Sequence, residues 1–213
     1  MPFTSKTEIA NLALAEIGAK RIASLESDTS REAVSCRDHF DHCRDTLLRR
    51  HPFSFANRAA GLSKAASAPV ASVEWDAAWV LPGDMVRLLR LVGQDRDIPE
   101  QRFEIHGRYL HTIHLEEVTL VYVSNDSPVN EWDSLFVDAM RYKLASEIAG
   151  DIAQSPEMAN QALQKLTNLA LPDASRVDAQ EVRSGENRTP RSIAAKSTLV
   201  RTRWIDSGIP PYS

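Results

Sequence analysis

The sequence predicts an α+β protein that is mainly α: a four-helix bundle of two helical pairs, with an inserted small antiparallel β-sheet and an extended C-terminal arm. Apolar residues recur every three or four positions near both ends of the body, which is typical of amphipathic helices. In the middle of the chain, apolar and polar residues alternate, which is typical of β-strands. The last residues hold too few apolar side chains to fold alone. We therefore assign 1–52 and 130–180 to the bundle, 53–129 to the β-rich insertion and 181–213 to the arm.

Helix 1 is predicted over residues 6–17. Ser5 followed by Glu8 matches a capping box, in which each side chain bonds the other residue's backbone N–H. Gly18 supplies the usual stop at the C-terminal end. We expect the apolar face of this helix to consist of Ile9, Leu12, Ala13 and Ile17.

Helix 2 is predicted over residues 29–50. Thr29 and Glu32 form a second capping box, and Pro52 disfavours helical geometry at the residue before it. Apolar residues spaced by three and four form one amphipathic seam, which we expect to pack on helix 3: Ala33, Cys36, Phe40, Cys43 and Leu47.

The middle of the chain predicts one small antiparallel sheet. A hairpin is expected over 103–112, turning at His106-Gly107, because glycine suits a two-residue hairpin loop. An extended loop rich in Ala, Ser and Pro is expected over 62–72. The other predicted strands cover 53–57, 85–92 and 118–123.

The second helical pair follows the strands. Helix 3 is predicted over 131–152, with an apolar stripe wide enough for substantial burial. Helix 4 begins with Ser155 as its cap and Pro156 at the first helical position. Pro172 should break or kink helix 4, since proline lacks a backbone N–H. The apolar face of helix 4 is predicted to hold Ala159, Ala162, Leu163, Leu166 and Leu169.

Charge is unevenly distributed along the chain. Residues 181–213 carry six basic and three acidic side chains, a net +3, which leaves 19 basic and 26 acidic side chains, a net −7, on the other 180 residues. An acidic body is poorly suited to gripping nucleic-acid phosphates. The basic arm suits an acidic groove on a protein partner, or a phosphate backbone. No apolar run reaches the length of a membrane span, and no signal-peptide pattern precedes helix 1, so we expect synthesis in the cytoplasm and no membrane partner.

Two groups of residues invite a metal interpretation. On helix 2, His39 and Cys43 share a face, but Cys36 lies about 10 Å along the axis from Cys43, too far to share one metal ion or a disulfide. We therefore interpret the two cysteines as core residues and His39 and His42 as near-surface residues. A second group, around the hairpin, is interpreted as solvent-facing strand residues: His106, His111 and His114.

Other catalytic signals are missing from the sequence. It contains no nucleophile elbow, phosphate-binding glycine loop, dinucleotide fingerprint or zinc-protease helix motif. Asp133 and Asp138 lie five residues apart and do not share a helix face, so we interpret them as helix-start and solvated acids. We expect no enzyme activity, no catalytic residues and no cofactor or metal.

Several segments in order resemble one family. They are Glu8–Gly18, Leu81–Arg90, Phe103–Thr112, Val118–Tyr122 leading into Trp132–Phe136, and Asp178–Glu181. Together these segments resemble the tail tubular protein A family, the head-to-tail adaptors, or gatekeepers, of short-tailed bacteriophages, over about residues 5–181. The family's last helix is longer than a helix ended by Pro172 would be, and the cysteines and histidines of helix 2 are not part of its pattern.

The resemblance implies a structural subunit of a virion, without catalytic residues. It implies a ring of twelve copies beneath the portal protein, with the tail nozzle protein on the far side and DNA passing through without sequence-specific binding. An acidic channel wall would let DNA slide past. The arm would then contact the portal or a neighbouring subunit, with Trp and Arg as the usual interface anchors: Arg201, Arg203, Trp204, Ile205 and Tyr212.

Two other functions fit the residues less well. The first alternative is a four-helix binding module whose basic tail contacts nucleic acid. The second is a metal hydrolase built on the histidines. The ability to form a large ring separates the adaptor from both, and a salt-dependent DNA affinity located in the tail would favour the binding module.

Overall fold

The protein mixes α-helices with antiparallel β-sheets. The computed structural model describes residues 5–65, 75–93, 96–97, 103–113 and 116–186. The helices are α1 (Lys6–Glu16), α2 (Arg31–Arg50), α3 (Ser134–Ile152), α4 (Pro156–Lys165) and α5 (Leu171–Glu186). The strands are β1 (Asn57–Gly61), β2 (Ser63–Lys64), β3 (Ala77–Val80), β4 (Met85–Gly93), β5 (Arg96–Asp97), β6 (Phe103–His106), β7 (Tyr109–Thr112) and β8 (Thr119–Ser124).

The chain divides into two compact units, residues 1–175 and 176–213. The first unit holds every described strand, the helices α1 to α4 and the beginning of α5. Of the second unit, the structure describes the helical residues as far as Glu186.

Side-chain caps set where the first helices begin. The Ser5 hydroxyl accepts a 3.2 Å hydrogen bond from the backbone N–H of Glu8, which confirms the predicted cap of α1. The predicted cap of α2 is displaced by one residue, because Ser30, and not Thr29, accepts the N–H of Ala33. An Asp28 oxygen accepts the Ser30 N–H at 2.8 Å and holds Ser30 in that position.

Helix α3 forms the centre of the helical layer. It packs against α1, α2 and α4, so apolar residues on several of its sides are buried and the predicted burial is confirmed. The helix starts later than predicted, since a 3₁₀ turn occupies Val129–Glu131. Asp133 is its N-cap, with a carboxylate oxygen 2.7 Å from the Leu135 N–H. The seam of α2 faces this core, as predicted: Ala33, Cys36, Phe40, Cys43 and Leu47 are buried.

Helix α4 continues through a π-helical segment, Leu166–Ala170, into α5 without an interruption. Of the two predicted effects of Pro172, a break is therefore wrong, because the helix runs on past it. The helix departs from regular α geometry just ahead of the proline, where the backbone N–H of Leu171 bonds to the carbonyl of Leu166 five residues back. Residues four apart shift gradually around the axis of a regular α-helix, because one turn takes fewer than four residues. The π-helical turn is wider, so it offsets that shift. The buried residues on this side are Ala162, Leu166, Ala170 and Ala174.

The strands form two four-stranded antiparallel sheets within the described residues, where the sequence predicted one. Sheet A has the order β1-β8-β4-β5, and sheet B has the order β2-β3-β7-β6. The segment predicted as a strand over 53–57 is a 3₁₀ turn, Ser54–Ala56, that leads into β1. Part of the predicted loop over 62–72 forms β2, and its residues 66–72 lie outside the described residues.

A second apolar core is built from strand residues. Leu91 and Leu120 of sheet A are buried in one cluster with Trp79 and Leu110 of sheet B. The Trp79 indole Nε1 donates a 2.8 Å hydrogen bond to the Thr112 hydroxyl, so this polar group is satisfied inside the cluster. This cluster takes buried residues from both sheets, so the two sheets share one apolar core.

The predicted hairpin is present as β6 and β7. The turn lies at Gly107-Arg108, one residue later than predicted. Gly107 has φ +61°, a left-handed conformation that glycine adopts without strain, which accounts for the glycine at this position.

Candidate functional site

The arm residues predicted as the interaction site lie outside the described residues. The structure therefore gives no geometry for Arg201, Arg203, Trp204, Ile205 and Tyr212. Within the described residues, the body offers a polar junction, two histidine-containing clusters and three groups of exposed apolar side chains.

The polar junction is centred on Asp84, at the turn that precedes β4. Its carboxylate accepts hydrogen bonds from the Ser124 hydroxyl at 2.6 Å and from the Tyr122 hydroxyl at 3.1 Å, both on β8. Partial burial is the largest single influence on the pKa of Asp84 and raises it. The hydrogen bonds from Ser124, from the Asp84 backbone and from Tyr122, together with the charge of Arg58, lower it by more, so the net pKa lies below its usual value. The pKa of Tyr122 is raised, mainly by burial and secondly by the hydrogen bond to Asp84.

Arg58 connects this junction to the start of the helical layer. From β1, its guanidinium donates to the Phe55 carbonyl at 3.0 Å and to a Glu131 carboxylate oxygen at 3.2 Å. Its positive charge also lowers the pKa of Asp84. The junction thus joins β1, β4 and β8 to the segment before α3, and its geometry fixes these elements relative to one another.

The cysteines of α2 are core residues, as predicted. Cys36 and Cys43 are both fully buried among apolar side chains. Burial raises the pKa of each thiol to about 12, so both are protonated at neutral pH and poor as nucleophiles or metal ligands.

The histidines of α2 lie near the surface, as predicted. His39 is half-buried, with Nε2 3.8 Å from an Asp151 carboxylate oxygen on α3, and His42 is exposed. In the described part of the chain, no three His, Cys, Asp or Glu side chains are arranged to hold a metal ion.

The interpretation of the hairpin histidines as solvent-facing is wrong for His111. Its side chain is 1% exposed, and its ring lies 5.1 Å from that of His106. In the register, Glu104 of β6 lies opposite His111 of β7, and a Glu104 carboxylate oxygen lies 3.0 Å from Nε2 of His106. Neither ring nitrogen of His111 has a hydrogen-bond partner among the described residues. The alternation of side chains along a strand tells which face of the strand a residue lies on, but it gives no information on what covers that face. His114 lies outside the described residues.

Among the described residues, large exposed apolar side chains occur on three parts of the first unit. On α2, Val34 is exposed. On sheet B, Val80 of β3 and Ile105 of β6 are exposed. On α4 and the π-helical segment, Met158, Leu163 and Leu169 are exposed, the last by 57%. The sequence placed Leu163 and Leu169 on the buried face of helix 4, which is wrong.

The reason is that only one side of α4 meets α3. The residues spaced by four from Ala162 to Ala174 occupy that side, and Leu163 and Leu169 lie on its flanks. Burial depends on the neighbouring helix as well as on periodicity, so apolar spacing alone could not distinguish the buried from the exposed leucines.

A scan against protein-family models and a search of curated proteins found no match for this chain. Among the helices of the described residues, none combines the length and the apolar character that crossing a membrane requires.

Proposed function

We propose that this protein is a structural head-to-tail adaptor subunit of a bacteriophage virion and has no enzyme activity. In this proposal, about twelve copies form a ring between the portal protein and the tail nozzle protein, and DNA passes through the channel. The helices would form a four-helix bundle from which the strands extend as an insertion. The chain is made in the host cytoplasm and ends in the virion.

The observation that carries the proposal is the contact between two segments that resemble the adaptor family. Asp84, in the segment Leu81–Arg90, accepts hydrogen bonds from Tyr122, in the segment Val118–Tyr122. A third such segment, Glu8–Gly18, contains α1, which packs against α3 in the same helical layer. These contacts bring the three segments together in one folded unit, which is what a shared adaptor architecture would require.

The exposed apolar side chains support ring formation. A closed ring is built from heterologous contacts, in which one surface of a subunit meets a different surface of the next. Val80 and Ile105 lie on sheet B, whereas Met158 and Leu169 belong to the helical run. The subunit therefore presents apolar side chains on two different elements, as such contacts require.

The arm would supply a further attachment. Trp204 and Ile205 would be apolar anchors, and Arg201 and Arg203 would pair with acidic groups on the portal or on a neighbouring subunit, with Tyr212 as an additional contact. The arm's net charge of +3 favours an acidic partner surface.

The test mixes the full-length chain with portal rings and examines the mixture by electron microscopy and co-sedimentation. We expect closed rings of this chain attached to the portal. Absence of any attachment by the full-length chain would show that the adaptor proposal is wrong.

Two variants test the arm separately. Deleting 195–213 should leave the circular dichroism spectrum unchanged and abolish co-sedimentation, and Trp204→Ala should weaken it. Leu199→Ala is the matched control, since it removes an arm apolar residue outside the proposed anchors. Full attachment by the truncated chain would move the docking surface to the helical body while leaving the adaptor proposal intact.

A further inference from the structure

A basic surface lies where α2 ends beside β4. Arg49 and Arg50 occupy the last turn of α2, and Arg87 lies on β4. All three side chains are exposed. Their proximity is direct: Arg49 Nη1 donates to the Val86 carbonyl at 2.8 Å, and Arg87 Nη1 donates to the Arg49 carbonyl at 3.4 Å. We call these three residues the arginine surface.

An irregularity in β4 places a fourth arginine on the face that carries Arg87. Arg87 pairs with Val123 of β8 and Arg90 with Val121, with a register shift between Leu88 and Arg90. Positions 87 and 90 would point to opposite faces of a regular strand, but the bulge places them on the same face. Arg90 is exposed there, but it has an interaction partner within the chain, so it is not counted in the arginine surface.

Among the described residues, no acidic side chain neutralises the positive charge of the arginine surface. In the described part of the chain, no carboxylate lies within ion-pair distance of Arg49, Arg50 or Arg87. The carbonyls at the end of α2 favour Arg49 and Arg50, since a helix C-terminus is partly negative. Arg87 also donates to one of these carbonyls, that of Arg49. The helix end carries only about half a negative charge against the three positive charges of the arginines, so an external anion is the natural partner for the set.

The surroundings favour a nucleic acid over a protein. Stable protein interfaces have an apolar centre in which charged residues are depleted. The large exposed apolar side chains of the described residues are Val34, Val80, Ile105, Met158, Leu163 and Leu169. None of them lies on β4 or in the last turn of α2. A surface that offers guanidinium groups without an apolar centre suits a phosphate backbone.

We propose that the arginine surface binds the phosphate backbone of duplex DNA without reading its sequence. The body's net charge of −7 does not prevent this, because binding responds to the local field of a patch as well as to the total charge. The inference goes beyond the adaptor proposal and does not depend on ring formation.

The test measures affinity of the full-length chain for a fluorescent DNA duplex by anisotropy across a salt series. Each arginine that neutralises a phosphate contributes about −0.9 to the slope of log affinity against log salt. Arg87→Gln should therefore reduce the slope's magnitude by about 1, and the triple variant Arg49→Gln, Arg50→Gln, Arg87→Gln by about 3. Arg21→Gln, which removes an exposed arginine from the loop before α2, should leave the slope unchanged.

Two outcomes would overturn the proposal. A wild-type chain that shows no DNA affinity at low salt would make an acidic protein the better partner. An unchanged slope in a folded triple variant would assign the affinity to the basic arm. Circular dichroism checks the fold of each variant, and the single variants Arg50→Gln and Arg87→Gln decide the question if the triple variant does not fold.

Discussion

The ring of Phe40 on α2 stacks against the indole of Trp132, with centroids 6.3 Å apart and ring planes 21° apart. Trp132 lies just ahead of α3, and it also contacts Phe136 edge-to-face at 5.1 Å. These aromatic contacts join the seam of α2 to the beginning of α3, so the centre of the helical layer depends on them.

Phe40→Ala should lower the free energy of unfolding by about 3–5 kcal/mol, the range for deleting a buried aromatic side chain. Urea denaturation followed by circular dichroism measures the change. His39→Ala is the matched control, since the adjacent His39 is only half-buried and should cost far less. A larger loss for His39→Ala than for Phe40→Ala would mean that the faces of α2 are wrongly assigned.

Thr112→Val should destabilise the strand core, because it leaves the buried indole N–H of Trp79 without its acceptor. We expect a loss of about 1–3 kcal/mol, the usual cost of an unsatisfied buried donor. Thermal or urea unfolding checks this value. Thr119→Val on β8 makes the same chemical change at a half-buried position and should be nearly neutral. Equal stabilities of the two variants would contradict the importance of this hydrogen bond.

Asp84 should contribute stability that depends on pH. Because its folded-state pKa is lowered, this contribution is fully present above the ordinary pKa of 3.8 and is lost as the pH falls through the lowered folded-state pKa. The stability difference between wild type and Asp84→Asn should therefore shrink in acid. Asp126→Asn, a change to an exposed aspartate, is the control. If the stability difference between wild type and Asp84→Asn stayed constant down to acid unfolding, the result would contradict the role of the Asp84 carboxylate in the junction.

Cys36 and Cys43 should resist alkylation in the folded protein at neutral pH. Burial raises the pKa of each from 9.0 to about 12, which lowers the thiolate fraction about a thousandfold. Mass spectrometry after iodoacetamide treatment should show no addition in buffer and two additions in urea. Rapid labelling without denaturant would show that the α2 seam opens in the native state.

The sequence by itself determined where α1 and α4 begin and which face of α2 is buried. Caps and periodicity are local properties, so Ser5, Ser155 and the α2 seam could be identified correctly. The cysteines could also be assigned to the core, because their helical separation excluded a shared metal ion.

Only the tertiary structure decided which apolar and polar groups meet across the chain. Leu163 and Leu169 are exposed because α3 covers one side of α4, and no local pattern specifies that partner. His111 is buried, and Asp84 finds Ser124, through strand pairing between distant segments. Likewise, the packing of β4 against α2 brings Arg87 beside Arg49, 38 residues away in sequence. Burial and charge proximity depend on long-range packing, whereas helix starts depend on the few residues around them.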